Sequence, residues 1–356
     1  MKRAIKLIAA AGAVALVLSA CGDDNGGGAA DVLPCVVSDF GGFDDRSFNQ
    51  SALEGVLAAA EELGTDEPRR VQSAPGSDFA ENLSAMVEAG CTHVVAVGFQ
   101  MASAAWQVAT DNPDVYFLII DHDGAAGPEG EGPPSNLRPI LFNTAEAGFL
   151  AGYLSAGFSE TGLVGTYGGM PFPTVTIFMD GFRQGVEHHN GLHGTNVQVI
   201  GCPSAGCEDG LFTGGFAANP EAAAVATNVV DQGVDVLLPV GGPIYQAGLA
   251  AISASGRDIV LIGVDADLFY TDESTRDVLL TSILKNIAEA TRATIVDAAD
   301  GSWDPTPYIG TLENGGVGIA PFHNLTDRVG ADLAGRVDEM RQGIIDGSIT
   351  VTSYLD

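Results

Sequence analysis

Short apolar runs alternate along the chain with longer amphipathic stretches, the pattern of an α/β protein. The runs predict strands over Cys35–Ser38, Val71–Ser73, His93–Val97, Tyr116–Ile120, Ile140–Asn143, Leu163–Tyr167, Gln198–Gly201, Val236–Val240 and Val260–Val264. The stretches between them predict helices that include Phe48–Leu63, Phe79–Ala89, Ala145–Phe158, Thr176–Glu187, Ala222–Gln232 and Tyr245–Ser255. His93–Val97 and Val236–Leu238 are apolar at consecutive positions, so helices cover both faces of a parallel sheet. The loop Gly124–Ser135, rich in Gly, Pro and Glu, separates two groups of strands. The second group repeats the plan of the first without a detectable sequence repeat. Two such lobes face each other across a cleft, and open α/β sheets bind ligands beyond the carboxyl ends of their strands.

The N-terminus follows a different pattern. Lys2, Arg3 and Lys6 precede an apolar run from Leu7 to Leu18, too short and wrongly flanked for a membrane span, which reads as a signal peptide over residues 1–20. It closes on Leu18-Ser19-Ala20-Cys21, which looks like a bacterial lipobox whose cysteine is acylated with a palmitate-type chain. Residues 21–31 then form a polar, Gly-rich tether. The expected location is the extracytoplasmic face of a cell membrane, anchored through Cys21. Export suits the four remaining cysteines. Cys202 and Cys207 close a small loop. Cys35 and Cys91 lie at the starts of strands that neighbour each other in a doubly wound sheet, so a bridge between them is geometrically reasonable. No C-x-x-C pair suggests zinc.

Charge narrows the partners. The 356 residues carry 46 acidic and 15 basic side chains, a net charge of −31. Loss of the signal removes three bases and no acid, so −31 becomes −34. A field of that sign repels phosphate backbones and excludes nucleic acid as a partner. Lysine is nearly absent, and beyond the signal only Lys285 remains.

The residues that follow the strands carry the candidate chemistry. After the first comes Ser38-Asp39-Phe40-Gly41-Gly42-Phe43-Asp44-Asp45-Arg46-Ser47-Phe48-Asn49-Gln50. Asp45 or Ser47 can cap the next helix. Phe40 and Phe43 either pack under that helix or offer a flat face to a planar ligand, and the Asn49 amide has the donors and acceptors to read a heterocycle edge. Asp121-His122-Asp123 follows the fourth strand and reads better as a cleft acceptor at Asp121 than as a metal site. Gly168–Pro173 is an apolar loop that either lines the cleft or packs. Gly241-Gly242-Pro243 precedes a helix but lacks the Lys-Ser/Thr ending of a P-loop. Asp265 suits the vicinal hydroxyls of a sugar. Lys285 is either a leftover surface lysine or a compact ammonium that a site needs. His188 and His189 lie at an expected helix end, near its terminal carbonyls.

At these positions the chain resembles the basic membrane protein family of bacterial lipoproteins, substrate-binding components of ABC transporters. The matching elements are Val37-Ser38-Asp39 with Phe43–Gln50, Asp121, Phe149–Tyr153, Val164-Gly165 through Met170, and Gly181-Phe182. They continue with Pro239–Pro243, Ile262–Asp267, Thr281-Ser282 with Lys285, and Gly316–Gly318. The resemblance implies a type I periplasmic-binding-protein fold, two doubly wound parallel-sheet lobes joined by a hinge. The expected lobes are residues 32–142 with about 268–302, and 143–267 with about 303–356. It further implies a purine nucleoside as ligand, a permease partner, a monomer and no cofactor. Phe43 would stack on the base, Asn49 and Asp121 would bond its edge, and Gly241, Asp265 and Lys285 would hold the ribose. The chain has Arg46 where the family often has Lys. It has no aromatic within Val236–Val240 where nucleoside binders place a second stacking ring, which leaves Tyr245 or Phe172 for that role.

Two other functions are weighed against this one. A sensor for a sugar or signalling molecule would have the same lobes. An enzyme lacks support: Tyr153 stands where a Gly-x-Ser-x-Gly elbow around Ser155 needs glycine, and no zinc motif is present.

Overall fold

A computed structural model describes residues 32–74 and 77–355. The expected signal peptide, Cys21 and the tether lie outside the described residues. In chain order the elements are β1 (Pro34–Ser38), α1 (Phe48–Leu63), β2 (Arg69–Gln72), α2 (Phe79–Glu88), β3 (His93–Val97), α3 (Ala102–Asp111), β4 (Tyr116–Ile120) and β5 (Leu137–Phe142). Next come α4 (Thr144–Phe158), β6 (Leu163–Gly168), α5 (Pro173–His193), β7 (Gln198–Ile200), α6 (Pro220–Asp231), β8 (Val236–Val240), α7 (Tyr245–Ser255) and β9 (Val260–Asp265). The chain ends with α8 (Leu268–Thr271), β10 (Leu279–Lys285), α9 (Ile287–Ala299), β11 (Tyr308–Gly310), β12 (Val317–Ile319) and α10 (Thr326–Ile345).

The strands form two six-stranded sheets, ordered β11-β5-β4-β3-β1-β2 and β12-β10-β9-β8-β6-β7. Only β10 with β12 pairs antiparallel among the described residues. Burial on both faces explains the continuous apolar runs. Val95, Val97, Leu118 and Ile120 pack with Ala52 and Val56 of α1, whereas Val94, Ala96, Phe117 and Ile119 pack with Leu83 of α2 and Ala105 of α3. Each fully buried aliphatic side chain of this kind contributes about 1.5–3 kcal/mol. Cys35 is bonded to Cys91 with Cα atoms 6.0 Å apart, and Cys202 to Cys207 at 4.8 Å.

Helix α5 is longer than its sequence pattern suggests, because Pro173 starts it and Gly194 ends it. His188 and His189 therefore lie within it, not at its end. Their rings pack around Tyr153, whose hydroxyl is 2.9 Å from His193 Nε2. Burial pushes His189 down to about 4, so it is neutral. Glycine lets α4 and α5 touch through their backbones: Gly152 meets the Phe182 carbonyl and Gly185 meets the Phe149 carbonyl, with no room for a Cβ at either.

The sheets divide the chain differently from the expected spans. β10 pairs with β9 in the second sheet although it lies within 268–302, and β11 pairs with β5 in the first sheet although it lies beyond 303. The physical reason lies in the connection: residues 266–278, which include α8, form the crossover that a parallel neighbour of β9 needs, so β10 continues that sheet. α9 returns to pack on α1. The chain thus passes between sheets at Asn143, at Asn286 and between Gly310 and Val317. These crossings are tied together, since the Asn143 N–H donates to the Gly310 carbonyl and the Asn286 N–H to the Gly316 carbonyl, both at 2.8 Å.

Candidate functional site

Strand ends of both sheets converge on one cavity. Asp39, Gly98, Phe99, Gln100 and Asp121 follow β1, β3 and β4, while Phe172, Gly241, Asp265 and Lys285 follow or end β6, β8, β9 and β10. Phe48, Asn49 and Asp45 complete the first side, and Phe178 and Phe216 the second. About 60 Å³ is open to the centres of water-sized molecules, against the roughly 10–15 Å³ that one water needs.

The loop after β1 is built around Asp45. Its carboxylate accepts the backbone N–H groups of Ser47 (3.0 Å), Asn49 (2.8 Å) and Gln50 (3.1 Å), which caps α1. Ser47 makes no capping bond. Its hydroxyl reaches across to the second sheet, 2.9 Å from the Val264 carbonyl and 3.1 Å from Asp265 Oδ2. Asn49 is fully engaged within the loop: its Nδ2 donates to Asp39 Oδ1 (2.8 Å) and Asp45 Oδ2 (2.9 Å), and its Oδ1 accepts the Asp39 N–H (3.2 Å). With both amide hydrogens committed, Asn49 holds Asp39 in place and has no donor left for a ring edge.

Lys285 provides the facing charge. Its buried Nζ lies 2.6 Å from Asp121 Oδ2 and 3.7 Å from Asp265 Oδ1. It also stands 5.0 to 5.7 Å from the ring centres of Phe178, Phe48 and Phe142, within cation–π range. Asp121 and Asp265 sit at φ 69° and 67°, a left-handed backbone that costs a non-glycine residue about 1–2 kcal/mol. Burial pushes the Asp39 and Asp265 carboxyls up to about 6, against the hydrogen bonds to Asp39 and the Lys285 ammonium beside Asp265. Burial also raises Asp45 and Asp121. Four carboxyl groups therefore share one ammonium.

The aromatic wall differs from the expected one. Phe43 is half-buried against the core and does not line the cavity, and Phe40 stacks on Phe79 with ring centres 5.0 Å apart. Tyr245 is buried and donates its hydroxyl to Asp272 Oδ2 at 2.7 Å, the oxygen that also pairs with Arg46 at 2.7 Å. Phe172 is the candidate that lines the cavity. It stacks on Phe99 at 4.9 Å, and Phe216 lies 6.1 Å from it. The Phe216 ring comes within 2.7 Å of where a Cβ on Gly241 would stand. Sequence reasoning missed Phe99 and Phe216, since each follows a glycine just as Phe43 does and nothing local sets them apart. Asp121-His122-Asp123 does not converge on one point. His122 Nδ1 accepts the Gly124 N–H, and its ring lies against Phe99.

This lining brings carboxylates, one ammonium and phenylalanine rings together where strand ends of both sheets meet. The family of ABC transporter substrate-binding proteins described as PnrA-like matches residues 34–351. The chain belongs to this family. It is a family of transport receptors, not a class of enzymes. Among relatives of this substrate-binding protein, the CD4+ T-cell-stimulating antigen of Listeria monocytogenes is 28% identical over 98% of this chain and 97% of its own length. Basic membrane protein A of Borreliella burgdorferi is 28% identical over 88% and 86% of the two chains. The ABC transporter nucleoside-binding protein BmpA of Lactococcus lactis is 26% identical over 99% of both. Among solved structures, an ABC transporter solute-binding protein from Aeropyrum pernix aligns with a TM-score of 0.75 and 25% identity, covering 91% of this chain and 94% of that one.

Proposed function

We propose that the protein captures a nucleoside, with a purine as the preferred base, in the cavity between its lobes and delivers it to the permease of an ABC importer. The observation that carries this reading is the mismatch inside the cavity: Asp39, Asp45, Asp121 and Asp265 face a single ammonium beside a wall of phenylalanine rings. Such a lining accepts hydrogen bonds from hydroxyl and N–H groups, stacks on a flat heterocycle and repels phosphate. A nucleoside offers all of these contacts; a nucleotide adds a charge that the carboxylates oppose. The printed name of the Lactococcus lactis relative supports the same ligand class. On this reading Asp265, Lys285 and the Gly241 backbone hold the sugar, Phe99, Phe172 and Phe216 pack on the base, and Asp121 fixes the ammonium. Asp45 and Asn49 build the loop that carries Asp39, and Ser47 joins that loop to the second lobe. A ligand touching both lobes stabilises their closed arrangement, which the permease recognises. The mature monomer would be tethered by acylated Cys21 to the extracytoplasmic face of the membrane.

Titration calorimetry of the full-length protein in mild detergent tests the reading. Adenosine, guanosine or inosine should bind with a dissociation constant in the micromolar range or below, and the corresponding monophosphates about a hundredfold more weakly. A folded preparation that binds none of the purine or pyrimidine nucleosides sinks the proposal.

A further inference from the structure

Asp39 presents the cavity with an acceptor that the protein leaves open. Asp39 Oδ1 accepts the Gly41 N–H and the Asn49 amide, both at 2.8 Å, whereas no hydrogen bond falls on Oδ2 among the described residues. Gly98 makes room for that oxygen: a Cβ there would stand 3.0 Å from it, at a φ of 114° that side chains rarely adopt. The next two residues, Phe99 and Gln100, line the same cavity. Oδ2 is thus a carboxylate oxygen of a cavity-lining residue, held beside Gly98 and fixed in direction by the bonds on its partner oxygen. Asn49, the expected reader of the base, has no free donor.

Resting on the nucleoside reading above, we infer that Asp39 is the specificity-determining residue for the ring edge, accepting an N–H from the base through Oδ2 and discriminating against bases that present only acceptors there. The charged groups around it are Asp45 on its own loop, Asp121 with His122 after β4, and Asp265 with Lys285 from the second sheet. Burial and the neighbouring carboxylates of Asp45 and Asp121 bring Asp39 up to about 6. It is therefore an acceptor at pH 7.5 and, once protonated at pH 5, a donor.

Purine riboside separates the two states, because its base carries no N–H, whereas adenosine, inosine and guanosine all have one. The sugar is common to all four, so titration of Asp265 cancels in the affinity ratio. For the full-length protein we expect purine riboside to bind at least about tenfold more weakly than the best of the other three at pH 7.5, the loss of one charge-assisted hydrogen bond. The gap should shrink to about threefold or less at pH 5. Asp39→Asn keeps an oxygen for Gly41 and Asn49 and turns its amide N–H into the cavity. It should lift purine riboside level with or above adenosine and remove the pH dependence of the ratio. A wild-type ratio near one at pH 7.5, or one unmoved by pH, overturns the inference while leaving the receptor reading intact, and that arm needs no variant to fold. Failure of all four ligands to bind overturns both.

Discussion

β4 of the first sheet and β9 of the second occupy the same place in strand order, and each ends in an aspartate held at positive φ, Asp121 and Asp265. The match extends to their neighbours. β3 and β8 run into Gly98 and Gly241, both at positive φ and both followed by a 3-10 turn. β5 and β10 run into Asn143 (φ −78°, ψ 64°) and Asn286 (φ −83°, ψ 53°), each just ahead of a helix. The side chains break the match. Phe142 ends β5 where Lys285 ends β10, and the acidic loop after β1 corresponds to the apolar Gly169-Met170-Pro171-Phe172 after β6. A shared backbone plan thus sets the geometry, and a few side chains divide the labour. The first lobe supplies most of the acceptors, and the second supplies the ammonium and most of the stacking surface.

The sharpest way to break this comparison is to remove the charge that distinguishes the second lobe. Lys285→Ala leaves Asp121 and Asp265 facing each other without a cation. It should weaken nucleoside binding about a hundredfold in calorimetry and lower the melting temperature, with the circular dichroism of a folded protein retained. Affinity within threefold of wild type would return Lys285 to a structural role.

The aromatic division comes next. Phe216→Ala should cost about ten- to thirtyfold in affinity, as expected for a lost stacking face, whereas Phe43→Ala should change it by less than about twofold. The opposite order in the same titration would restore the wall to the first lobe.

A smaller effect tests the cost of crowding acceptors on one side. The unfolded chain releases the Asp39 proton near its ordinary value of 3.8 and the folded chain near 6. The unliganded fold therefore binds more protons across that window and loses stability as pH rises through it. Asp39→Asn should raise the unfolding free energy of the unliganded protein at pH 7.5 by on the order of 1 kcal/mol, read in denaturant unfolding, with the gain fading by pH 4. A gain of equal size at both pH values would point to packing instead.

The smallest expected effect is at an ion pair outside the cavity lining, where Arg46 of the first lobe pairs with Asp272 of the second while nearly half exposed. Arg46→Ala should speed ligand dissociation about two- to threefold in stopped-flow displacement and leave association unchanged, since exposed pairs contribute little. Added salt should reproduce the change in wild type.

Much of this architecture was legible in the chain because burial on both faces writes itself as consecutive apolar residues. His93–Val97 and Val236–Val240 are strands with their expected bounds. Asp265 was legible as a cleft residue because it follows a strand of that pattern, whereas Lys285 stood out as the only lysine beyond the signal and through the family resemblance. What stayed hidden depends on contacts between distant segments. Nothing local in Leu279–Lys285 says which sheet it joins, and nothing local in Asn49 says that Asp39 and Asp45 will use up its amide. Phe43 and Phe216 look alike in sequence, each an aromatic after glycine. Only the path of the loops sends one under the helix and the other into the cavity.

The crossings between the sheets have a mechanical consequence. Lys285 is the residue immediately before the crossing at Asn286, so its lever arm about the pivot is short. Phe99 and Phe216 ride on loops far from any crossing in sequence. Rotation of one lobe against the other about these crossings would barely displace the ammonium. A ligand entering an open cleft would meet a polar anchor already in register. On the proposed reading, the sugar would find its partner in place before the lobes close.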